Sequence, residues 1–159
     1  KYWWFGLASP ATGASYDCVV SLDATGYMET LVLLWSGAKQ TGQPDAVNDT
    51  GGSGSGTSHS GSITTVADSC LALMFHGDGQ TATVATAGSG TTLAKGGADI
   101  NAGSIAVLYS STPKTPAGSE TLNCNFLIAG YGFNLISLAP VAAAAVVTPK
   151  SNLLLMGVG

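Results

Sequence analysis

The sequence predicts an all-β fold, a β-sandwich of jelly-roll or immunoglobulin-like type with roughly nine strands and an extended C-terminal tail. The first observation is a series of short segments in which apolar and polar residues alternate, which is the period of a strand with one buried face. The second is the recurrence of turn-forming residues about every 8–12 residues. A chain of 159 residues is also long enough to bury a core as one domain.

The first predicted strands lie near the N-terminus. Residues 2–7 are mostly aromatic, and Pro10 ends the run because it cannot donate a ladder hydrogen bond. Residues 14–23 alternate, so Cys18 and Val20 are predicted to face the core while the polar residues between them face water. This alternation favours sheet over helix from the start of the chain.

Two segments are apolar without alternation, residues 31–35 and residues 70–75. Such runs are typical of strands covered on both faces, so both are predicted to be buried central strands. Residues 49–61 lie between them and consist largely of Gly, Ser and Thr, with little apolar surface to offset the entropy of ordering. We therefore expect an exposed loop without regular structure there.

Shorter strands are predicted after this loop. They cover residues 62–66, 81–86, 91–95, 104–110, 119–126 and 131–138. Clean alternation near the end of this series places Leu122, Cys124 and Phe126 in the core, with Asn123 and Asn125 more exposed. We assign the sandwich domain to residues 1–140, with the last of these strands close to its end.

Residues 141–159 are predicted to form an apolar tail with one strand. That strand comprises Asn152, Leu153, Leu154, Leu155 and Met156. Burying each Leu, Val or Met of the tail is worth about 1.5–3 kcal/mol, so the tail is not expected to stay in water. It is expected either to fold back on its own sandwich or to add as a strand to a neighbouring subunit. Exchange of this kind joins subunits head to tail into rings or filaments.

The composition indicates the class of protein. Charged residues make up only 9% of the chain, against about 25% in ordinary soluble domains. The net charge is −4 with five lysines and no arginine, so nucleic acid is not an expected partner. Such a surface is familiar in secreted fibres and virion proteins, and we expect an extracellular or virion location. The chain enters a strand at Lys1 without a visible signal peptide, which indicates a removed leader or a longer gene product.

A membrane partner is not expected either. The most apolar region of the chain is its C-terminal part, where Pro140, Pro149 and Lys150 interrupt the apolar run. No uninterrupted segment approaches the roughly 20 residues that a membrane-spanning helix needs.

The three cysteines allow more than one interpretation. Cys18 and Cys124 take core positions in alternating strands, and Cys70 begins an apolar strand. Buried free thiols are the first interpretation, and a Cys18–Cys124 disulfide is the alternative. The spacing matches no zinc pattern, so no metal site is predicted.

No catalytic constellation is found. His59 lies in the Gly/Ser segment and His76 ends an apolar strand, each without a Cys or Glu neighbour that would indicate a metal or a nucleophile. The run Gly52-Ser-Gly-Ser-Gly56 only approaches the pattern Gly-x-Ser-x-Gly, because its central residue is Gly, and it lies within low-complexity sequence rather than between a strand and a helix. The sequence therefore predicts a protein that is not an enzyme and needs no cofactor.

Oxygen-bearing and aromatic residues suggest weaker candidates for binding. Asp45, Asn48 and Asp49 could ligate calcium, although turns use the same residues. Asn48 also begins the glycosylation pattern Asn-Asp-Thr. The tryptophans, which could stack on sugars but suit a sandwich core at least as well, are Trp3, Trp4 and Trp35.

Several segments resemble an uncharacterised sandwich domain of bacterial secreted and phage structural proteins. Residues 2–13 (YWWFGLASPATG) are similar to its "WYLxNPPTG" strand and turn, and residues 35–46 are similar to its "SGVDQTxPxxA" segment. Residues 63–73 are similar to its "VTTxxDNSLVV" strand, and the segments 116–126 and 135–140 also fit. The resemblance covers about residues 2–140 and implies a sandwich without a catalytic motif.

One departure from this family concerns the tail. Such domains usually carry an early strand similar to "NLLLVGV" before the Trp-rich one, and here that place is empty. A similar segment, SNLLLMGVG, stands instead at residues 151–159. We therefore expect a structural subunit that assembles with copies of itself into an extracellular filament or a virion component by strand exchange. The alternative is a carbohydrate-binding or adhesion module of a secreted or phage tail protein, with glycans as partners.

Overall fold

The computed structural model describes residues 19, 28–49, 53–54, 56–79, 83–99, 103–126, 131–141 and 148–158. These residues form eleven strands and no helix, so the all-β prediction is confirmed for the described part of the chain. The strands are β1 (Met28–Ser36), β2 (Ala46–Asn48), β3 (Ser53–Gly54), β4 (Ser58–Thr64), β5 (Leu71–Asp78), β6 (Thr86–Ala87), β7 (Thr91–Asp99), β8 (Gly103–Ser110), β9 (Ser119–Asn125), β10 (Tyr131–Leu138) and β11 (Thr148–Val158). Among the described residues, none belongs to a helix long and apolar enough to cross a membrane.

Two antiparallel sheets form the sandwich. The main sheet has the order β2-β10-β5-β8-β7, with β3 also paired to β10, and the second sheet has the order β4-β9-β6. One hydrophobic core joins them, because it contains Met74 and Leu108 from the main sheet together with Ile63 and Leu122 from the second. Two such sheets packed face to face are consistent with the predicted β-sandwich.

A two-stranded ribbon of β1 and β11 adds a third layer. A second apolar cluster on the other face of β5 contains Leu71 and Leu73, and Trp35 of β1 packs against this cluster. The Trp35 ring meets the Tyr109 ring of β8 edge to face, with centroids 5.7 Å apart. The ribbon thus lies against the outer face of the main sheet.

The apolar run at residues 70–75 is a buried central strand, as predicted. Residues Leu71 to Met74 are at most 2% exposed, because one face of β5 packs into the sandwich core and the other into the cluster next to the ribbon. Alternation was absent from the sequence because neither face of this strand meets water.

The same interpretation of residues 31–35 is wrong. Among the described strands β1 pairs only with β11, most of this segment is half-buried, and Leu34 is 50% exposed. The register of the β1–β11 ladder shifts between Val32 and Leu34. Such an irregularity interrupts the alternation of faces along a strand, so an apolar run here does not report burial on both sides.

The Gly/Ser segment is only in part the loop that the sequence predicts. Asp49, Gly56 and Thr57 are exposed, but Ser53–Gly54 pairs with β10 and residues 58–61 open β4. A Cβ at Gly61 would collide with the Phe133 ring, so the glycine lets β4 pack closely against the main sheet. Low side-chain volume at this place serves close packing instead of flexibility.

The alternating strand at 119–126 agrees with the structure. Leu122, Cys124 and Phe126 are buried in the sandwich core, Asn125 is exposed, and Asn123 is half-buried with its amide donating to the Ser89 carbonyl. The N-terminal strands predicted at 2–7 and 14–23, including Cys18 and Val20, lie outside the described residues. Of the strand predicted at 81–86, only Thr86 belongs to a strand among the described residues.

Candidate assembly site

The predicted exchange strand lies in β11, which pairs with β1 of its own chain. The antiparallel ladder runs from Met28 opposite Val158 to Ser36 opposite Thr148. Leu154, Leu155 and Met156 have backbone partners in β1, whereas Asn152 and Leu153 fall at the register shift. A single chain thus has the tail folded back, the first of the two arrangements that the sequence left open. Exchange between chains stays a prediction.

The segment before β11 is anchored separately. Pro140 pairs with Ala38, the Val141 amide donates to the Gly37 carbonyl at 2.8 Å, and the Lys39 amide donates to Ala139 at 2.9 Å. The side chain of Gln43 makes two hydrogen bonds to the Ala139 backbone. Its Nε2 donates to the Ala139 carbonyl, and its Oε1 accepts from the Ala139 amide. The chain is therefore fixed up to Val141 by contacts that do not involve β11.

The Ala38–Pro140 pairing and the β1–β11 ladder follow the same strand but differ in register. Continuing the register of Ala38 and Pro140 would place residue 142 opposite Ser36, but Thr148 occupies that place. Six residues, 142–147, therefore separate neighbouring positions along a single line of antiparallel pairing. The contacts that hold Val141 are separate from those that hold β11.

β1 and β11 are held together by backbone pairing. Main-chain hydrogen bonds of this kind can be made with a strand from the same chain or from another one. A two-stranded ribbon is marginal in water by itself, so the ladder depends on β1 being held against the main sheet. Trp35, packed on Tyr109, supplies part of that support.

The described cysteines are buried thiols. Cys70 and Cys124 are free and fully buried. Burial raises the pKa of Cys124 to about 11, and burial together with the nearby Asp45 raises the pKa of Cys70 to about 12. Both are therefore protonated and unreactive at neutral pH. Cys124 is a free thiol, so the structure does not contain the Cys18–Cys124 disulfide that the sequence left as the alternative; Cys18 itself lies outside the described residues.

Asp45 ties three parts of the chain together. Its carboxylate accepts hydrogen bonds from the amides of Val66 and Ala67, at 2.8 and 3.0 Å, and from the Ser137 hydroxyl at 3.0 Å. Burial acts to raise the pKa of Asp45, but these bonds and one from Cys70 outweigh it, and the pKa is lowered. Its oxygens are thus engaged by protein donors instead of being presented to a calcium ion.

The other binding candidates are placed in the sandwich or beside it. Asn48 lies in β2, and its side-chain amide donates to the Ser62 carbonyl at 2.9 Å, so the nitrogen that would carry a glycan is already engaged in one hydrogen bond. Trp35 is half-buried and packs against Tyr109 and the apolar cluster next to the ribbon. Asp49 is exposed, and Trp3 and Trp4 lie outside the described residues.

A shallow pocket lies on the described surface near the end of β9. It has a volume of about 290 Å³ and is lined by Thr57, Thr83, Val84, Thr86, Asn125 and Phe126. That volume is slightly below the roughly 300–1,000 Å³ of typical small-molecule sites. The lining offers hydroxyl and amide groups but no ionisable side chain.

Sequence reasoning treated the two histidines as isolated, whereas the structure brings them together. His59 on β4 and His76 on β5 lie inside the sandwich with ring centroids 5.8 Å apart. Their inward positions in two strands could be suggested from alternation, but their contact depends on how the sheets pack. Among the described residues no group of three or more His, Cys, Asp or Glu could hold a metal ion, so this pair has no third ligand of those types.

Comparison with known proteins does not assign the chain to a family. A scan of protein-family models, a search of curated proteins and a search of solved structures each find no match to the chain. The resemblance to the secreted and phage sandwich domain therefore stays a prediction from the residues that carry it.

Proposed function

We propose that this protein is a non-enzymatic structural subunit that assembles into an extracellular filament or a virion component by exchanging β11 between copies. The observation that carries the proposal is the break in the β1 ladder. The Val141 amide is bonded to the Gly37 carbonyl. Pairing resumes after six further residues, where Thr148 lies opposite Ser36. A strand attached in this way can leave its own β1 and pair with the β1 of a neighbour.

Exchange would conserve the contacts that β11 makes within one chain. Each copy would give its β11 to one neighbour and receive the β11 of another, so the number of β1–β11 ladders per subunit stays the same. The free-energy difference between closed and exchanged forms is then set mainly by concentration and by the connecting residues. Because donor and acceptor are different surfaces, the contact is head to tail and grows rings or filaments.

The composition supports this class of function. Only 9% of the residues are charged, and the net charge is −4, so mutual repulsion between copies is weak. The tail also resembles the early strand that similar sandwich domains carry before their Trp-rich strand. A β11 received from a neighbour would pair with the sandwich in the manner of such a strand.

Two deletions test the proposal together, with sedimentation as the measurement. Removing residues 142–159 takes away β11, and the product is expected to be a soluble, less stable monomer. Removing only residues 142–147 joins Val141 to Thr148, which restores a continuous register along β1 and leaves no length to reach another copy. This second variant is expected to be a monomer of at least normal stability.

The two variants separate loss of folding from loss of exchange. A full-length chain that assembles, beside a 142–147 deletion that stays monomeric and folded, supports exchange. A 142–147 deletion that polymerises like the full-length chain would contradict the proposal, because β11 could not then be the connecting element.

A further inference from the structure

The sandwich encloses a pair of histidines that belong to opposite sheets. His59 is the second residue of β4 in the second sheet, and His76 lies in β5 of the main sheet. Their rings are roughly parallel, with centroids 5.8 Å apart and an interplanar angle of 22°. His59 is 5% exposed and His76 is 3% exposed. The pair therefore spans the space between the sheets without access to water.

Aromatic rings complete the surroundings of the pair. The Tyr131 ring of β10 lies 3.5 Å from the His59 ring, centroid to centroid, and 5.8 Å from the His76 ring. Phe126, at the end of β9, lies 4.7 Å from His76. The environment is thus apolar on most sides, which disfavours the charged form of either imidazole.

Most of the imidazole nitrogens have no hydrogen-bond partner among the described residues. Both nitrogens of His76 and Nε2 of His59 are buried and unpaired, while His59 makes one hydrogen bond to the Gly56 backbone. A buried polar atom without a partner costs stability, and an apolar ring of similar size would fill the place of His76 without that cost. Packing alone therefore does not account for a histidine at position 76.

The groups that face the pair decide how it responds to acid. On β5, the buried Asp78 lies two residues from His76 and accepts a hydrogen bond from the Ser104 hydroxyl of β8. On β9, Cys124 is the backbone partner of His59, and Tyr131 covers His59 from β10. Among the described residues, Asp78 is the carboxylate that acts on the pair, and it is on the His76 side.

These surroundings hold both imidazoles neutral. Burial, and to a smaller extent the neighbouring His59, lower the pKa of His76 to about 4, although Asp78 opposes the shift. Burial also lowers the pKa of His59, against the hydrogen bond to Gly56. Below pH 6.5 an open, hydrated form therefore gains protons that the closed form does not accept until the pH is much lower.

We propose that His59 and His76 form an acid-sensitive contact between the two sheets. The sheets stay packed at this contact while both rings are neutral, and they separate there when the rings take up protons. The separation is local, because the pair lies at one end of the sandwich. His59 is near the start of β4, and Tyr131 begins β10 and pairs with Gly54 of β3. Two like charges within 5.8 Å would separate β4 from β5 at that end, while Ile63 and Thr64 stay paired with β9.

Hydrogen–deuterium exchange read by mass spectrometry tests this on the full chain, assembled or not. Exchange at the histidine ring C2 position reports each ring's protonation and access to water, and backbone exchange, corrected for its intrinsic pH dependence, reports opening. We expect slow ring exchange at pH 7 and at least a tenfold loss of backbone protection in residues 58–61 and 131–133 by pH 5. Protection of residues 63–64 and 119–120, at the other end of the same ladder, is expected to change less than twofold.

His76→Phe is the matched variant, because it removes two unpaired nitrogens and breaks no hydrogen bond. We expect it to fold and to lose most of the acid-dependent opening at residues 58–61. Ring exchange in the unmodified chain needs no variant and decides the matter if His76→Phe does not fold. Rings that titrate near pH 6.5 without backbone opening, or an acid response that is the same in His76→Phe, would overturn the proposal.

Discussion

Strands β5 and β11, of eight and eleven residues, each contain a run of at least four consecutive apolar residues, yet the fold holds them in different ways. β5 is hydrogen-bonded to β10 on one side and to β8 on the other, and both of its faces are buried. β11 pairs only with β1 among the described strands. The comparison shows that an apolar run does not determine how many strands a segment pairs with, because β5 has two partners and β11 has one among the described strands. We propose that the strand with one partner is the one exchanged between copies.

The largest effect that separates the sandwich from the ribbon is expected from truncating a core leucine. Leu108 of β8 is fully buried in the sandwich core, so Leu108→Ala should lower the free energy of unfolding by about 2–5 kcal/mol. The matched change in the ribbon is Leu34→Ala, where the side chain is 50% exposed and less than about 1 kcal/mol is expected. Urea unfolding of both variants measures the contrast. Equal losses would show that the ribbon is as tightly packed as the sandwich.

The next effect concerns pH and acts on the sandwich. The pKa of His76 in the folded chain is about 4, below its ordinary value of 6.5, so the unfolded chain binds the proton first as the pH falls. The contribution of the neutral ring is fully present above pH 6.5 and is lost progressively down to pH 4, by about 3 kcal/mol in total. Urea unfolding at intervals between pH 7.5 and 4 should show this fall.

The carboxylate of Asp45 acts in a different window, which keeps the two effects apart. Its pKa is lowered, so its stabilising effect is present at and above the ordinary carboxyl range and is lost only as the pH falls further. A stability that is flat from pH 6.5 to 4 and falls only below that range would assign the acid response to Asp45 and contradict the role of His76.

A smaller effect is expected where β4 approaches the main sheet. A Cβ at Gly61 would meet the Phe133 ring and Leu135, so Gly61→Ala should force a shift and cost about 1–3 kcal/mol. Gly79 is the control, because nothing lies within 4 Å of a Cβ placed there. Thermal unfolding of both variants is the measurement, and a Gly61→Ala protein as stable as Gly79→Ala would show that β4 does not pack closely.

Much of the sandwich was predictable from local pattern. Alternation identified the inward residues Leu122, Cys124 and Phe126, and an unbroken apolar run identified β5, because burial on one face or two leaves a direct trace in sequence. The apolar run of β1 has the same sequence pattern as that of β5, but β1 is not a central strand. It lies in a two-stranded ribbon with a register shift, and local pattern does not report how many neighbours a strand has.

The features that depend on long-range packing were not predictable. Close approach of Gly61 to Phe133 turns a Gly-rich segment into part of a strand, although its composition is typical of a loop. The contact between His59 and His76 joins positions on different sheets, and the bonds to Asp45 come from residues 66, 67 and 137. Each of these needs the topology of the sheets, which alternation along one strand does not contain.

Exchange of β11 is the central claim, and a cross-link placed in the ladder tests it most directly. Leu31 and Leu155 are backbone partners, and two cysteines at such a place can form a disulfide when their Cα atoms are about 4.4–6.8 Å apart. The variant carries Leu31→Cys and Leu155→Cys, and the control carries Leu31→Cys and Gly157→Cys, two residues out of register. Assembled protein is oxidised and run on a denaturing gel without reductant. The account predicts a series of covalent dimers and longer multimers from the in-register variant and few from the control, whereas cross-links confined to single chains in assembled protein would contradict it.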